Sequence, residues 1–261
     1  MRVLAPTLVA LVVLGCGSSQ EPETEARRTQ PSEGHESSME PASEATPEPA
    51  VPVAEVEPVP ATTEWPTPEF EAFRDLEPDA CVARVRALGI AFREKSHEAV
   101  AAGMIVEEVG GVRWEFAGRL DVHRVMDCRL VLALHAWAPT LRAAGVRTVR
   151  HLSALRPSAR VRSTGAPSGH SKGLAVDPRH FVMEDGSELD VLEDWVWRQR
   201  GAEPCSEAVD EPETSARLRA TVCRAVAAGI FQVVVTPHHD DAHANHVHVE
   251  VVPEVGWSWA R

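Results

Sequence analysis

Aromatic residues are scarce in this 261-residue chain, which contains no Tyr and is only 5% aromatic overall. The scarcity is greatest in residues 17–66, where Trp65 is the single aromatic side chain. The same stretch holds nine of the 20 Pro and eleven Glu, with only Arg27 and Arg28 to balance them. A segment of this composition cannot bury enough apolar surface to offset the entropy of ordering it. The sequence therefore predicts a single folded domain, at residues 67–261.

Basic residues are outnumbered as well, because 26 Lys and Arg face 39 Asp and Glu and give a formal net charge of -13. Binding to the phosphates of DNA or RNA needs a basic face. We therefore expect no nucleic-acid partner. The folded part is nonetheless long enough to bury a sizeable hydrophobic core.

The apolar run at the N-terminus, residues 3–14, is too short to span a bilayer and has the form of a signal peptide. It ends in Leu-Gly followed by Cys16, which resembles the bacterial lipoprotein signal, in which the Cys is lipidated. The resemblance implies a signal peptide at residues 1–15, export from the cell, and a membrane anchor of acyl chains on Cys16. The alternative is an ordinary secretory leader with an incidental Cys.

The acidic, Pro-rich stretch would then connect the lipid anchor to the folded domain. We expect residues 16–66 to comprise the lipidated Cys and a disordered tether. Gly17, and not Asp, follows the Cys, which by the usual sorting rule favours the outer membrane facing the periplasm. The expected location is therefore the cell envelope.

Cysteines are few, and none of them has the C-x2-C spacing of a structural zinc site. Four remain besides the predicted lipidation site, an even number in a chain that is expected to be exported, so two disulfides are expected. Three pairings are possible. Proximity along the chain favours Cys81 with Cys128 and Cys205 with Cys223.

Apolar periodicity in the folded part indicates a mixture of helices and strands. Spacings of three and four predict a helix over residues 80–95. A cap at Asp121 predicts a helix over residues 121–141, which Pro139 is expected to bend or end. A third helix is expected over residues 214–228. Runs rich in β-branched residues predict strands over residues 104–108, 112–116, 146–152, 174–177, 230–236 and 246–252, with a Gly-Gly hairpin between the first two. Because the elements mix without a strict βαβ rhythm, we expect an α+β fold with a small, mainly antiparallel sheet and flanking helices.

Two segments carry the residue types that metal chemistry needs. A catalytic zinc ion takes three imidazole or carboxylate ligands and keeps a fourth position open. In the first segment, residues 168–177, Gly173 lies between His170 and Asp177. Glycine lets the backbone turn sharply, so both side chains can reach one point.

The second segment is residues 243–250, where His246 and His248 are two apart in a predicted strand. Side chains two apart in a strand emerge on the same face. One of them can therefore bind a metal ion while the other points into the same cleft. With His170 and Asp177, His248 would make a site of two histidines and one carboxylate.

Both segments resemble known enzymes. Residues 168–177 fit the pattern S-x-H-x-x-G-x-A-x-D in every stated position, which resembles D-alanyl-D-alanine carboxypeptidases and related murein peptidases. Residues 243–248 fit H-x-x-H-x-H, which resembles the murein endopeptidase branch. A wider match over about residues 81–252 is similar to the extensin-like C-terminal domain family of bacteria. The resemblance implies the hedgehog/D-Ala-D-Ala peptidase-like fold.

The same resemblance implies that His170, Asp177 and His248 bind one Zn²⁺ per chain. It implies that His246 is the general base or a transition-state donor, and that His243 supports it near the water or the substrate. The expected activity is that of a zinc metallopeptidase, a carboxypeptidase or an endopeptidase, acting on peptidoglycan stem peptides or cross-links. The alternatives are a non-catalytic zinc-containing module that binds peptidoglycan and an envelope structural protein without zinc.

Three arginines are candidates for binding a carboxylate of the substrate. The resemblance favours Arg156, although residues 153–155, Ser-Ala-Leu, replace the Tyr-x-Cys-like segment that usually precedes this Arg, and Arg160 and Arg162 compete for the role. Family members often have Asp after the last His, whereas here Glu250 stands two residues further on. The partner of the last His is therefore open.

Two further polar positions have less specific interpretations. Ser168 could be a nucleophile, but no pattern places a base or oxyanion donors around it, so hydrogen bonding to a metal ligand is favoured. Residues 238–241, His-His-Asp-Asp, are expected to form a solvated loop.

Overall fold

A computed structural model describes residues 69–197, 200–206 and 210–261. The predicted leader at residues 1–15, the lipidation site Cys16 and the predicted tether lie outside the described residues. Within the described ranges, no helix combines the length and the apolar character needed to cross a membrane.

Short strands and a few helices make up the described chain. The helices are α1 (Pro78–Ala87), α2 (Cys128–Ala143), α3 (Val191–Asp194) and α4 (Glu213–Ala227). The strands are β1 (Phe92–Glu94), β2 (Gly103–Val106), β3 (Glu108–Val109), β4 (Val112–Phe116), β5 (Met126–Asp127), β6 (Val146–His151), β7 (Ala175–Val176), β8 (Pro178–Met183), β9 (Glu188–Asp190), β10 (Val233–Val235), β11 (His248–Glu250) and β12 (Trp259–Ala260). Short 3-10 turns lie at Glu69–Ala72, Asp121–Arg124, Gly169–Lys172 and Asp241–His243.

The described strands form three sheets, with the orders β1-β2-β5, β3-β4-β6-β8-β9 and β12-β10-β11-β7. Neighbouring strands are antiparallel except in the β4–β6 and β10–β12 pairs, which are parallel. The α+β class is therefore as predicted, but several sheets replace the single small sheet. The chain passes from one sheet to the next at Glu107, which separates β2 from β3.

Trp137 of α2 lies in the centre of the hydrophobic core and is fully buried. Its ring meets Phe181 of β8 edge-on at 6.2 Å and Phe231, just before β10, at 5.4 Å between centroids. Such edge-to-face pairs add to the stabilisation from buried area. The indole N–H donates to the carbonyl of Thr221 in α4 at 3.4 Å. This one side chain thus connects α2 with α4, with the five-stranded sheet and with the segment that leads into β10.

The first helix is shorter than predicted. It ends at Ala87, whereas the apolar spacing predicted a helix to residue 95. Gly89 has a φ of +70°, the left-handed conformation that commonly terminates a helix. The chain then enters β1, which pairs antiparallel with β2. Phe92, which fitted the helical spacing, therefore lies in a strand.

The second helix begins later than predicted. Asp121 starts a 3-10 turn, and α2 begins only after Asp127. The buried Asp127 is the N-cap, because its Oδ1 accepts the backbone N–H of Arg129 at 3.0 Å, and the Arg129 guanidinium pairs with the same oxygen at 2.8 Å. The helix continues past Pro139 to Ala143, so it does not end at this residue.

The pairing of β7 with β11 brings the two motif segments together. The strands are antiparallel, with Val249 opposite Val176. One further step of this register places Asp177 beside His248. The loop after β6 joins them from the other side, since the backbone N–H of Asp177 donates to the carbonyl of Ser153 at 3.0 Å.

Both disulfides have the pairing predicted from proximity. Cys81 and Cys128 join α1 to the first residue of α2, and both are buried. Cys205 and Cys223 join the loop before α4 to α4 itself. The first bridge closes the longer segment, with a sequence separation of 47 against 18 for the second.

Removing the Cys81–Cys128 bridge with a Cys81→Ser, Cys128→Ser double substitution should lower the free energy of unfolding by about 4 kcal/mol, because the loop released in the unfolded chain is long. Urea unfolding under non-reducing conditions measures this loss. The Cys205→Ser, Cys223→Ser pair is the control and should lose about 3 kcal/mol, because its loop is shorter. A larger loss in the control would contradict the expectation.

Candidate metal centre

A short turn presents His170. The turn Gly169–Lys172 is capped by Ser168, whose Oγ accepts the backbone N–H of His170 at 3.4 Å. Gly173 ends the turn with a φ of +67°, which glycine adopts without strain. The chain therefore turns between His170 and Asp177, as expected for a glycine at this position. Ser168 bonds to the backbone of His170 and not to its ring.

Three candidate ligand atoms converge in the buried interior. His170 Nε2 lies 2.9 Å from Asp177 Oδ1 and 3.0 Å from His248 Nδ1. His248 Nδ1 lies 3.1 Å from Asp177 Oδ1. All three residues are buried. These atoms are close enough together to be ligands of one metal ion.

The far side of each histidine ring is fixed by an acceptor. His170 Nδ1 donates to the carbonyl of Ala154 at 2.6 Å, and His248 Nε2 donates to Glu250 Oε2 at 2.9 Å. A carbonyl or carboxylate oxygen can only accept, so each of these nitrogens carries the proton of the neutral ring. The lone pairs of the neutral rings therefore lie on His170 Nε2 and His248 Nδ1, the two nitrogens that converge.

The carboxylate is oriented in the same way. Ser153 Oγ donates to Asp177 Oδ2 at 2.9 Å, and Arg156 Nη2 lies 3.6 Å from the same oxygen. The other oxygen of Asp177, Oδ1, therefore faces the two converging histidine nitrogens, and these three atoms form the candidate metal centre. With neutral rings, three lone pairs would face one another with no hydrogen between them. Such an arrangement needs a cation, either a proton or a metal ion.

The pKa values of two residues reflect this crowding. For Asp177, burial raises the pKa, but the charges and hydrogen bonds of His170 and His248 outweigh burial and hold the pKa well below its usual range. For His248, burial lowers the pKa, but hydrogen bonds to Asp177 and Glu250 outweigh it and raise the pKa to about 9. At neutral pH the metal-free centre therefore holds a proton on His248.

His246 lies beside the three ligand atoms. Its Nε2 is 3.6 Å from Asp177 Oδ1, and its Nδ1 donates to Asn245 Oδ1 at 2.8 Å. Burial lowers the pKa of His246 to about 4, so the ring is neutral near pH 7. The residue precedes β11, so the strand begins two residues later than predicted, but the rings of His246 and His248 both reach Asp177, as expected for side chains that point into one cleft. His246 reaches the centre from the preceding loop.

His243 is the next member of the histidine cluster. Its ring centroid lies 5.1 Å from that of His246 and 6.0 Å from that of His248. Its Nδ1 donates to Asp240 Oδ1 at 2.7 Å. Burial lowers the pKa of His243, although the hydrogen bond to Asp240 opposes this shift.

Residues 238–241 make contacts that a fully solvated loop would not make. His238 is fully buried, and its Nε2 accepts the indole N–H of Trp195 at 3.2 Å. Asp240 bonds to the ring of His243. The prediction of a solvated loop is therefore wrong for His238, which partners distant in sequence bury, whereas the side chain of Asp240 remains 40% exposed.

Of the three candidate arginines, Arg156 is the one whose guanidinium contacts the centre, at Asp177. Its side chain is 45% exposed, so the remainder of the guanidinium faces solvent. Arg160 instead donates to the carbonyl of Gly165 at 2.8 Å, within its own loop. Arg162 is exposed in the same loop.

Sequence reasoning missed the groups that hold the candidate ligands. The only signal for Ser153 was that a hydroxyl residue stands where the family has Tyr. No local pattern marks Ala154, because it acts through its backbone carbonyl. Glu250 was noted only as a carboxylate displaced from its usual position, and the structure makes it the partner of His248.

Two sizeable surface clefts lie away from this cluster. One of about 700 Å³ is lined by residues of α1, β1 and the loop before β2, and one of about 620 Å³ by residues of α4, β10 and β12. Neither is lined by the candidate ligands. The chemistry of the cluster, and not the size of a cleft, therefore marks it as the candidate site.

The family model of the extensin-like protein C-terminus matches residues 79–261. This range includes the candidate ligands and the neighbouring histidines, His170, Asp177, His243, His246 and His248. The chain therefore belongs to this family. No curated protein and no solved structure matches the chain.

Gly169 is packed against Glu250, and a Cβ at position 169 would lie 2.4 Å from the Cδ of Glu250. A Gly169→Ala substitution should therefore displace Glu250 from His248 and lower the pKa of His248 towards its ordinary value. NMR titration of the ring in chelator-treated protein measures this. Gly256→Ala is the control, because the nearest atom to a Cβ there is an Arg74 nitrogen 3.6 Å away. An unchanged His248 titration in Gly169→Ala would refute the expected displacement.

The metal-free protein should lose stability between pH 7 and pH 9. The folded pKa of His248, about 9, is above its unfolded value of about 6.5, so its contribution is fully present below pH 6.5 and is lost as the pH rises through 9. The loss should be on the order of 3 kcal/mol. His151 and His246, both with pKa values lowered to about 4 by burial, affect stability only at lower pH.

Urea unfolding in EDTA at several pH values measures this slope. Glu250→Gln removes one of the two carboxylates that hold the proton on His248 and should flatten the slope. Equal slopes in the parent and in Glu250→Gln would contradict the assignment to His248.

Proposed function

We propose that the chain is a zinc-dependent metallopeptidase of the cell envelope, which hydrolyses peptide bonds in peptidoglycan stem peptides or their cross-links. The observation that carries the proposal is the convergence of two imidazole nitrogens and one carboxylate oxygen, from His170, His248 and Asp177, within 3.1 Å of one another. The atoms of these side chains that face away from one another already make hydrogen bonds, so the lone pairs that face one another remain for a metal ion.

The donor set fits zinc. Catalytic zinc sites use three imidazole or carboxylate ligands and leave one position open. The carbonyl of Ala154 and the carboxylate of Glu250 are the kind of partner that holds a zinc-binding histidine in one tautomer. When bound, zinc supplies polarisation of a carbonyl and a more acidic water molecule.

His246 is the candidate general base. Its ring is neutral near pH 7, and its Nε2 lies next to the ligand atoms, 3.6 Å from Asp177 Oδ1. Because Nδ1 already donates to Asn245, Nε2 holds the free lone pair. A neutral imidazole in this place can accept a proton from the attacking water.

Arg156 is the candidate for binding a substrate carboxylate. It combines a contact at Asp177 with a side chain that is 45% exposed. A planar guanidinium suits the two oxygens of a carboxylate, and stem peptides carry free carboxylates. Arg156 therefore offers a fixed positive charge at the rim of the centre.

The choice of peptidoglycan rests on the motif resemblance and on the predicted route of export. A lipid anchor at Cys16 would attach the chain to a membrane that faces the cell wall. A flexible tether over residues 17–66 would reach on the order of 40 Å as a coil. An anchored domain with this reach could contact wall peptides away from the membrane surface.

Two histidine substitutions separate metal binding from turnover. His248→Ala should lower the affinity for zinc by more than roughly 100-fold, because it removes a ligand. His246→Ala should keep the zinc affinity and lower the turnover of purified muropeptides by roughly 100-fold or more, because it removes the base. Calorimetry with zinc and mass analysis of released fragments measure the two effects.

His135→Ala is the matched control, because this half-buried residue of α2 lies outside the cluster. It should leave both measurements unchanged. Stoichiometric zinc binding without any released fragment would favour the binding module over the enzyme. Absence of zinc binding by the parent protein would refute the metal centre.

A further inference from the structure

We infer that Asp240 is a positioning residue, which fixes the ring of His243 so that Nε2 of this ring is a hydrogen-bond acceptor at the candidate centre. The claim about the ring concerns the structure alone. Its consequence for turnover rests on the proposed function. Neither the motif patterns nor the expected solvated loop assigned a role to Asp240.

One carboxylate oxygen holds His243 at two points. Asp240 Oδ1 accepts the backbone N–H of His243 at 3.1 Å and the ring Nδ1–H at 2.7 Å. The first bond caps the 3-10 turn Asp241–His243. The second determines which ring nitrogen carries the proton, because a carboxylate oxygen can only accept. Backbone and ring of His243 are thereby fixed relative to each other.

The other groups around His243 belong to the candidate centre or lie beside it. The rings of His246 and His248 are 5.1 Å and 6.0 Å away, and that of His239 is 6.0 Å away. The charge of Asp177 also acts on His243. With Nδ1 turned to Asp240, Nε2 is the ring atom left for a water or substrate N–H at this centre.

The two histidines that precede His248 have different partners. His246 donates to the amide oxygen of Asn245, which is neutral, whereas His243 donates to a carboxylate. A carboxylate that holds the N–H of an imidazole fixes its tautomer and orientation more strongly than a neutral acceptor does. The structure thus gives His243 the more firmly defined acceptor atom.

A second loop contacts the outer side of the segment that carries Asp240. Arg200 pairs with Asp241 and donates to the carbonyl of His239 at 3.4 Å. The backbone N–H of Gly201 donates to the carbonyl of His238 at 3.0 Å. Asp241 therefore faces outward to Arg200, while its neighbour Asp240 faces His243. The two adjacent aspartates make a matched pair for an experiment.

The test replaces Asp240 by Ser. Serine is a good N-cap, so the backbone of the turn keeps its acceptor, but its side chain is too short to hold the ring of His243. In the full chain, ¹⁵N NMR of the histidine rings should show His243 with its proton on Nδ1. Asp240→Ser should move that proton mainly to Nε2, whereas Asp240→Asn, which keeps an acceptor oxygen, should retain it on Nδ1.

The same variants test the consequence for turnover. Asp240→Ser should lower kcat on muropeptides by roughly 10- to 100-fold, with KM and zinc affinity within about twofold of the parent. Asp240→Asn should recover most of kcat. Asp241→Ser is the control and should leave the tautomer, kcat and zinc affinity unchanged.

An unchanged His243 tautomer in Asp240→Ser overturns the inference. A loss of zinc affinity or of thermal stability that parallels the loss of kcat also overturns it, because Asp240 would then support the fold or the metal ligands in general. If the parent chain releases no fragment from any muropeptide, the proposed function fails, while the tautomer comparison still decides the role of Asp240.

Discussion

The buried carboxylate of Asp177 is the group on which the site depends. An ionised carboxylate without partners is costly to bury, so the chain around it must supply positive charge and hydrogen-bond donors. Ser153 and Arg156 supply them at Oδ2, and the histidine nitrogens gather at Oδ1. The pairing of β7 with β11 and the loop after β6 are the parts of the fold that bring these partners to one place.

Hydrogen bonds on the outer side of the two histidine rings determine which ring nitrogens face the candidate centre. His170 and His248 each turn their N–H outward, to Ala154 and Glu250, and their lone pairs inward. This arrangement disfavours a centre without a cation and favours one that holds a proton or a metal ion. Stability and protonation are therefore coupled at one point in the protein, and a metal ion bound there would be coupled to both.

Local sequence rules were accurate where a local cause decides the structure. Gly173 turns the backbone as its lack of a Cβ predicts, and the disulfide pairing followed proximity. The rules were less accurate where a competing signal existed. Gly89 ends α1 although apolar residues continue the helical spacing, and Asp127, not Asp121, caps α2 because buried tertiary contacts surround it.

The sequence by itself determined the candidate ligands, since His and Asp side chains at this spacing offer imidazole nitrogens and carboxylate oxygens, and it determined the family to which the chain belongs. Only the tertiary structure decided how those atoms are oriented. Ala154 acts through a backbone carbonyl, and Glu250 acts through a carboxylate that packs against Gly169 and accepts from His248; neither contact has a local sequence pattern. Such partners are set by strand pairing and packing between distant segments, and spacing along the chain does not record them.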